Sequence, residues 1–198
     1  MTDLFTAYDD TRTRMIELAR ASAPDALSAM VPACPDWTAL QLITHCVSMP
    51  AALGAGDLRV VTNNLHVARI LAANPQCEVV VAGGTVRHED LGVVGEAALN
   101  FIRQFKVDIG LIGISGIDAD GTLRDYDMRE VMVARAIVEQ SRQVWLVADH
   151  SKFDRPAMIE MAPLKVVHTL FTDIAPAPAQ QRLMEDLGVR CVVATNNF

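Results

Sequence analysis

Acidic, hydroxyl and basic side chains closely follow one apolar run of the sequence. In the stretch "LVADHSKF" the apolar residues end at Ala148, and Asp149, Ser151 and Lys152 come next. An ammonium group binds a phosphate or another oxyanion as a compact charge, and a carboxylate accepts hydrogen bonds from hydroxyl groups. The spacing therefore predicts one wall of a site for a small, anionic, hydroxylated molecule.

Three further apolar runs end in residues of related chemistry. They are followed by hydroxyl, amide, glycine, carboxylate or guanidinium groups: Thr62, Asn63 and Asn64; Gly83, Gly84 and Arg87; Ser115, Gly116, Asp118 and Gly121. Ligands of an open parallel sheet bind at the carboxyl edge of its strands, where such residues converge. Backbone N–H groups and basic side chains favour anions there. Together with the first group, these residues are predicted to bind a sugar phosphate.

Each group also has a purely structural interpretation. The Thr-Asn-Asn tripeptide can cap the helix that follows it, and the glycine pair can form a tight turn. Lys152 can be a solvated surface lysine, which is the commoner position for a lysine. The "DADG" segment begins like a calcium loop but lacks the later ligand positions of that motif.

Motifs for catalysis, metal binding and cofactor binding are missing from the sequence. The five histidines show no pair at the helical spacing of a metal site. A GxSxG elbow and a phosphate-binding P-loop are likewise absent. We therefore expect no catalytic residue, no metal and no cofactor.

Apolar runs alternate with amphipathic segments from residue 57 onward. The predicted strands are 58–62, 77–83, 108–115, 143–149, 165–172 and 190–195. The predicted helices between them are 64–73, 95–105, 127–141 and 178–187. This alternation is typical of a mostly parallel sheet covered by helices on both faces. The prediction for residues 57–198 is one α/β domain.

Residues 1–56 have a different pattern. Apolar residues at near-helical spacing predict a helical N-terminal appendage, with Asp36 as the N-cap of a helix that continues to about residue 47. Trp37 is expected to be a largely buried anchor of that appendage. The predicted domain boundary lies at residue 57.

Composition and charge exclude several classes of protein. The chain has 198 residues, of which 51% are hydrophobic, and this suits a globular protein with a core of its own. The formal net charge of -7 argues against binding nucleic acid by bulk electrostatics. No apolar run reaches the roughly 18 residues that cross a membrane. The four cysteines are scattered, which fits a reducing cytoplasm.

Several longer motifs resemble a known family. The segments "VVTNNLHVARIL", "VVVAGGTVRHEDLGVVGEAAL" and "GISGIDADGT", and then "VADHSKF", are similar to the C-terminal sensor domain of the DeoR/GlpR transcriptional regulators, over about residues 57–195. The resemblance implies a Rossmann-like sheet similar to that of sugar-phosphate isomerases. It also implies a phosphorylated sugar or related metabolite as effector, a homo-oligomer, and a lysine at position 152 that points into the site.

The N-terminal part departs from that family pattern. Family members carry a winged helix-turn-helix and then a strand leading into a phosphate-binding loop, and residues 1–56 show neither. The segment Leu40–Ser48 is an alternative candidate for that strand, although its spacing favours a helix. DNA contact is therefore expected only indirectly. The stretch "VPACPDWTALQLITHCVSM" faintly resembles the DinB-like, mycothiol-dependent maleylpyruvate isomerases. His45 would match a metal-binding histidine of that family, but a lone histidine is more often a packed or capping residue, so no metal is assigned to it.

Two functions fit these observations. The first is a sensor domain that binds a sugar phosphate, and the second is a sugar-phosphate isomerase with Asp118 or Asp149 as its base. The overall pattern favours the sensor. Replacing Lys152 by Met is expected to weaken binding of the ligand and to change stability little, because Met keeps most of the volume of the lysine stem.

Overall fold

The structure is a computed structural model, and it describes residues 30–31, 34–38, 58–72, 75 and 77–193. The chain divides into two compact units. The first contains the residues up to 81 together with 86–93, and the second contains 82–85 and the residues from 94 onward. Each unit has its own strands and helices.

The strands of the described residues are numbered in chain order. They are β1 (Met30–Val31), β2 (Cys34–Thr38), β3 (Leu58–Thr62), β4 (Cys77–Val81), β5 (Thr85–Val86), β6 (Val93–Val94), β7 (Val107–Gly113), β8 (Gly116–Ile117), β9 (Thr122–Asp125), β10 (Ser141–Val147), β11 (Ile159–Pro163), β12 (Thr169–Thr172) and β13 (Arg190–Val193). The α-helices are α1 (Leu65–Leu71), α2 (Glu96–Ile102), α3 (Met128–Gln140) and α4 (Pro178–Leu187). The described residues also form short 3₁₀ helices at His150–Lys152 and Leu164–Val166.

A β–α–β segment forms the described centre of the first unit. Strands β3 and β4 pair in parallel, from Leu58 opposite Cys77 to Thr62 opposite Val81. Helix α1 supplies the crossover that parallel neighbours require. It begins at Leu65 because Asn64 caps it: the Asn64 side-chain oxygen accepts hydrogen bonds from the backbone N–H groups of His66 and Val67, at 2.9 and 3.2 Å.

A four-stranded parallel sheet forms the centre of the second unit. Its strand order is β13-β12-β10-β7, so β10 has a neighbour on each side. Leu146 lies opposite Ile112 on β7 and opposite Leu170 on β12, and all three side chains are buried. An inner strand buried on both faces requires a continuous apolar run, and residues 144–147 of β10 supply one.

A small antiparallel sheet completes the second unit. Strand β9 lies between β8 and β11, and its Leu123 is fully buried. Helix α3 packs on this sheet, where the Arg135 guanidinium donates hydrogen bonds to the carbonyl oxygens of Met161 and Glu160, at 2.9 and 2.7 Å. Leu123, Met161 and Leu146 belong to one apolar core.

The α/β fold class and the relative order of the predicted strands and helices are confirmed from residue 58 onward, but the short strands β5, β6, β8, β9 and β11 were not predicted. The predicted strand 165–172 is wrong over its first half, where residues 164–166 form a 3₁₀ helix and β12 begins only at Thr169. The predicted N-cap at Asp36 is also wrong, because Asp36 lies within strand β2, which pairs with β1. The remainder of the predicted N-terminal helices, and the burial of Trp37, fall outside what the structure describes. None of the helices in the described ranges is long and apolar enough to cross a membrane.

Candidate functional site

A short turn with polar side chains follows the carboxyl end of β10. The chain leaves the sheet at Ala148 and enters the 3₁₀ helix His150–Lys152. Asp149 caps this helix, because its Oδ1 accepts a hydrogen bond from the Ser151 N–H at 2.8 Å. A three-residue helix has little stability of its own, so this cap fixes where the turn begins.

Lys152 and Asp149 form a buried ion pair on this turn. The Lys152 Nζ lies 3.7 Å from the Asp149 Oδ2, and the two side chains are 5% and 2% exposed. Burying a charge is costly unless an opposite charge accompanies it, so each group compensates for the other. The separation is longer than a good hydrogen bond, and the buried Asp149 Oδ2 has no hydrogen-bond partner among the described residues. The ammonium and one carboxylate oxygen therefore both retain capacity for a polar ligand.

The segment after β7 lies beside the residues that follow this turn. Ile117 forms a parallel bridge with Phe153, and the Asp154 N–H donates to the Ile117 carbonyl oxygen at 2.8 Å. A Cβ at Gly116 would lie 2.1 Å from the Arg155 carbonyl oxygen, so only glycine fits without a shift of the backbone. The structure thus brings the predicted residue Gly116 next to the segment that leaves Lys152.

The other predicted residues of this hairpin have structural partners. Ser115 donates from Oγ to Asp125 Oδ1 at 3.1 Å. The Asp118 carboxylate accepts a hydrogen bond from the Arg124 guanidinium and forms an ion pair with it. Gly121 has a φ of +83°, which suits glycine, and its carbonyl oxygen accepts from the Leu164 N–H at 2.7 Å.

In the first unit, the Thr-Asn-Asn tripeptide has a structural role. Thr62 Oγ1 accepts a hydrogen bond from the Asn64 N–H at 3.1 Å, and Asn64 caps α1. The Asn63 and Asn64 side-chain amides donate to the carbonyl oxygens of Val93 and Asp90, at 3.0 and 3.1 Å. The capping interpretation is therefore confirmed for Asn64, and the neighbouring side chains fix the loop before β6.

Arg87 stabilises that same loop. Its Nε lies 3.2 Å from Asp90 Oδ1, and both side chains are 11% exposed. Its backbone N–H donates to the Gly92 carbonyl oxygen at 2.8 Å. Gly83 and Gly84 are exposed and belong to the second unit, and the φ of Gly84, 153°, is one that other residues rarely adopt.

Two polar residues at the end of β12 were missed from the sequence. His150, on the turn after β10, donates its backbone N–H to Asp173 Oδ1 at 2.7 Å, and its ring Nδ1 lies 2.7 Å from Asp173 Oδ2. The buried Thr172 donates from Oγ1 to Asp173 at 3.2 Å. Burial raises the pKa of the Asp173 carboxyl, but the hydrogen bonds from His150 and from its own backbone, together with the charge of His150, lower it by more, so this pKa lies below its ordinary value of 3.8. Inspection of the residues after the predicted strand 165–172 would have identified Asp173.

In the second unit, several of the predicted site residues thus lie close together at the end of β10. Asp149, Ser151 and Lys152 share a single turn, Asp173 holds that turn from the neighbouring strand, and Gly116 lies beside the segment that follows it. Arg87 and the Thr-Asn-Asn residues belong to the first unit. The chemistry assembled at the turn is a buried ammonium beside a buried carboxylate.

Comparisons with known proteins identify relatives of this chain. The family model of the DeoR C-terminal sensor domain matches residues 39–174. The glycerol-3-phosphate regulon repressor of Escherichia coli is 46% identical over 136 residues, which are 69% of this chain and 54% of that protein. The repressor of the same name from Haemophilus influenzae is 54% identical over 126 residues, 64% of this chain and 49% of that protein. The HTH-type transcriptional repressor CsqR of Escherichia coli is 35% identical over 143 residues, 72% of this chain and 55% of that protein.

These matches confirm the resemblance seen in the sequence motifs and, with the parallel sheet, the Rossmann-like fold that it implied. The family match begins at residue 39 and includes Leu40–Ser48 and His45, so the likeness to maleylpyruvate isomerases is not supported. The boundary at residue 57 stays a prediction. The chain spans about half the length of the curated relatives it matches.

Proposed function

Because the chain belongs to the DeoR family through its C-terminal sensor domain, we propose that it is the effector-binding part of a transcriptional repressor. We propose glycerol 3-phosphate, or a phosphorylated polyol of similar size, as the effector. The observation that carries this proposal is the buried pair of Lys152 and Asp149 at the carboxyl end of β10. The names of the two glycerol-3-phosphate regulon repressors support the choice of compound.

The chemistry of the pair fits the two ends of such a ligand. The Lys152 ammonium supplies a positive charge and three donors for a phosphate oxygen. The Asp149 Oδ2, which has no hydrogen-bond partner among the described residues, can accept a hydrogen bond from a ligand hydroxyl. Contacts of this kind are stronger away from water, and both side chains are almost completely buried.

The partners of the two candidate catalytic bases favour a sensor over an isomerase. Asp118, one of the two candidate bases, is paired with Arg124, and Asp149 caps the turn and pairs with Lys152. The names of the relatives also describe repressors. A repressor acts on DNA, so we propose a cytoplasmic location and indirect coupling of this domain to DNA. Assembly into a homo-oligomer stays a prediction.

Isothermal titration calorimetry tests the proposal directly. We expect the chain to bind glycerol 3-phosphate more tightly than glycerol or inorganic phosphate alone, because the site contains partners for both groups. Lys152→Met should weaken this binding by roughly 10- to 150-fold, the equivalent of one charge-assisted hydrogen bond of about 1.5–3 kcal/mol. Lys152→Arg keeps the charge and should retain part of the affinity.

Lys165 provides a matched control, because it is exposed and lies away from the turn in sequence. Lys165→Met should bind glycerol 3-phosphate as the wild type does. A panel with ribose 5-phosphate, glucose 6-phosphate and glucosamine 6-phosphate tests the choice of effector. If the chain binds none of these compounds, or if Lys152→Met binds with unchanged affinity, the proposal is wrong. Conversion of ribose 5-phosphate to a ketose would favour the enzyme instead.

A further inference from the structure

Asp173 lies outside the turn that carries Lys152 and binds that turn at His150. We propose that Asp173 is a positioning residue: by binding His150, it keeps the Lys152 ammonium in the place where it meets the ligand's phosphate. This inference deepens the function proposed above and rests on it. Asp173 itself need not touch the ligand.

Asp173 binds the turn from the end of the neighbouring strand β12. Strand β12 pairs with β10 in parallel, with Phe171 opposite Val147, so the ends of the two strands lie side by side. Thr172, directly before Asp173, is fully buried and anchors the end of β12. From this anchor Asp173 reaches across to His150, the first residue of the 3₁₀ helix.

Two carboxylates thereby satisfy successive N–H groups at the start of the turn. Asp173 accepts from the His150 N–H at 2.7 Å, and Asp149 accepts from the Ser151 N–H at 2.8 Å. Lys152 is the next residue, and its backbone N–H donates to the Asp149 carbonyl oxygen at 3.1 Å. The position of the lysine backbone therefore depends on both carboxylates.

The backbone contact matters more than the ring contact. The His150 side chain is 57% exposed, and an exposed ion pair of its kind contributes little. The bond from the backbone N–H to a charged carboxylate directly fixes the path of the chain. Asp173→Asn keeps an oxygen that can accept this bond, whereas Asp173→Ala removes it. His150→Ala removes only the ring.

Amine acetylation measures the position of Lys152 without any ligand. The lysines of the chain are Lys106, Lys152 and Lys165, and the first and last are exposed internal standards. We expect slow acetylation of Lys152 by N-hydroxysuccinimidyl acetate in the wild type, measured by mass spectrometry of its peptides. Asp173→Ala should raise the Lys152 rate about tenfold and leave the two standards unchanged, because loss of one charge-assisted bond opens the turn more often. Asp173→Asn and His150→Ala should stay within about threefold of the wild type.

A double-mutant cycle then tests whether Asp173 acts through Lys152. Asp173→Ala should weaken glycerol 3-phosphate binding about tenfold in the wild type and by less than about twofold in the Lys152→Met background. Asp173→Asn should restore most of the affinity. Equal losses in both backgrounds, or an unchanged Lys152 acetylation rate in Asp173→Ala, would overturn the inference. Absence of binding by the wild type, with the acetylation effect present, would overturn only the proposed function and leave Asp173 as the residue that positions Lys152.

Discussion

Replacing Lys152 by Met is expected to destabilise the fold strongly. The Lys152 side chain is 5% exposed and Asp149 is 2% exposed, so the substitution leaves a buried carboxylate without its counter-charge. Removal of one partner from a buried ion pair costs about 3–5 kcal/mol. The two groups are 3.7 Å apart, beyond the distance of a good hydrogen bond, so we expect the lower end of this range, about 3 kcal/mol.

This loss is a large fraction of the stability of an ordinary domain, about 5–15 kcal/mol. For a chain of this size, 1 kcal/mol corresponds to roughly 2–4 °C in Tm, so Lys152→Met should melt about 6–12 °C below the wild type. Urea denaturation followed by circular dichroism gives the free energy of unfolding independently. Both measurements are made without ligand, because a ligand would stabilise the wild type selectively.

A second substitution separates charge burial from loss of packing. In Asp149→Asn/Lys152→Met, the Asn oxygen can still accept from the Ser151 N–H, and no charge is buried. This double variant should recover at least half of the lost stability. The exposed Lys165→Met should stay within about 0.5 kcal/mol of the wild type. A stability of Lys152→Met within 0.5 kcal/mol of the wild type would refute the view that the pair is a buried, mutually compensating one.

Three further outcomes are expected. Gly116→Ala places a Cβ 2.1 Å from the Arg155 carbonyl oxygen and should lower the free energy of unfolding, measured by urea denaturation, by about 1–3 kcal/mol. In the control Gly113→Ala the new Cβ meets no atom within 4 Å, so the loss should be smaller. Equal losses in the two variants would contradict the close contact at Gly116. The pKa of Asp173 is lowered in the fold, so its stabilisation is complete above the ordinary pKa of 3.8 and is lost as the pH falls through the folded value. The difference in stability between the wild type and Asp173→Asn should therefore shrink below about pH 3.8, and a difference independent of pH would argue against the contact with His150. The chain, with a net charge of -7, should show no tight, salt-sensitive binding to duplex DNA in fluorescence anisotropy titrations, and nanomolar binding would contradict this.

The sequence predicted the elements of the α/β part well because its inner strands are buried on both faces. A run such as residues 144–147 has few alternatives to an inner parallel strand. The error at 165–168 has a non-local cause. The N–H of Leu164 bonds to the Gly121 carbonyl oxygen at 2.7 Å and its side chain is buried, so the chain turns there although the local residues favour a strand. The strand propensity of the local residues gives no information about this contact, because Gly121 is distant in sequence.

The arrangement of the candidate site was predictable in part for the same reason. Residues after an inner strand must emerge at one sheet edge, which correctly placed Asp149 and Lys152 on one turn. The burial of Lys152 was not predictable, because a lysine is usually exposed and its burial depends on segments distant in sequence. This burial also changes the expected effect of Lys152→Met on stability from small to large. The partner of Asp118 was missed because Arg124 approaches it only once the hairpin of β8 and β9 has formed.

The short turn at the end of β10 depends on two strands. A 3₁₀ helix of three residues cannot hold a buried lysine in place by its own hydrogen bonds. Asp149, two residues after β10, and Asp173, directly after β12, bind the first two N–H groups of the turn, and the parallel register of the strands brings both carboxylates to the same edge. Since each carboxylate lies within two residues of a strand end, the proposed function has the ammonium oriented before the effector arrives, so that less entropy is lost on binding. A lysine on a free loop would lack this advantage, so the proposed site depends on the pairing of β10 with β12 as well as on Lys152.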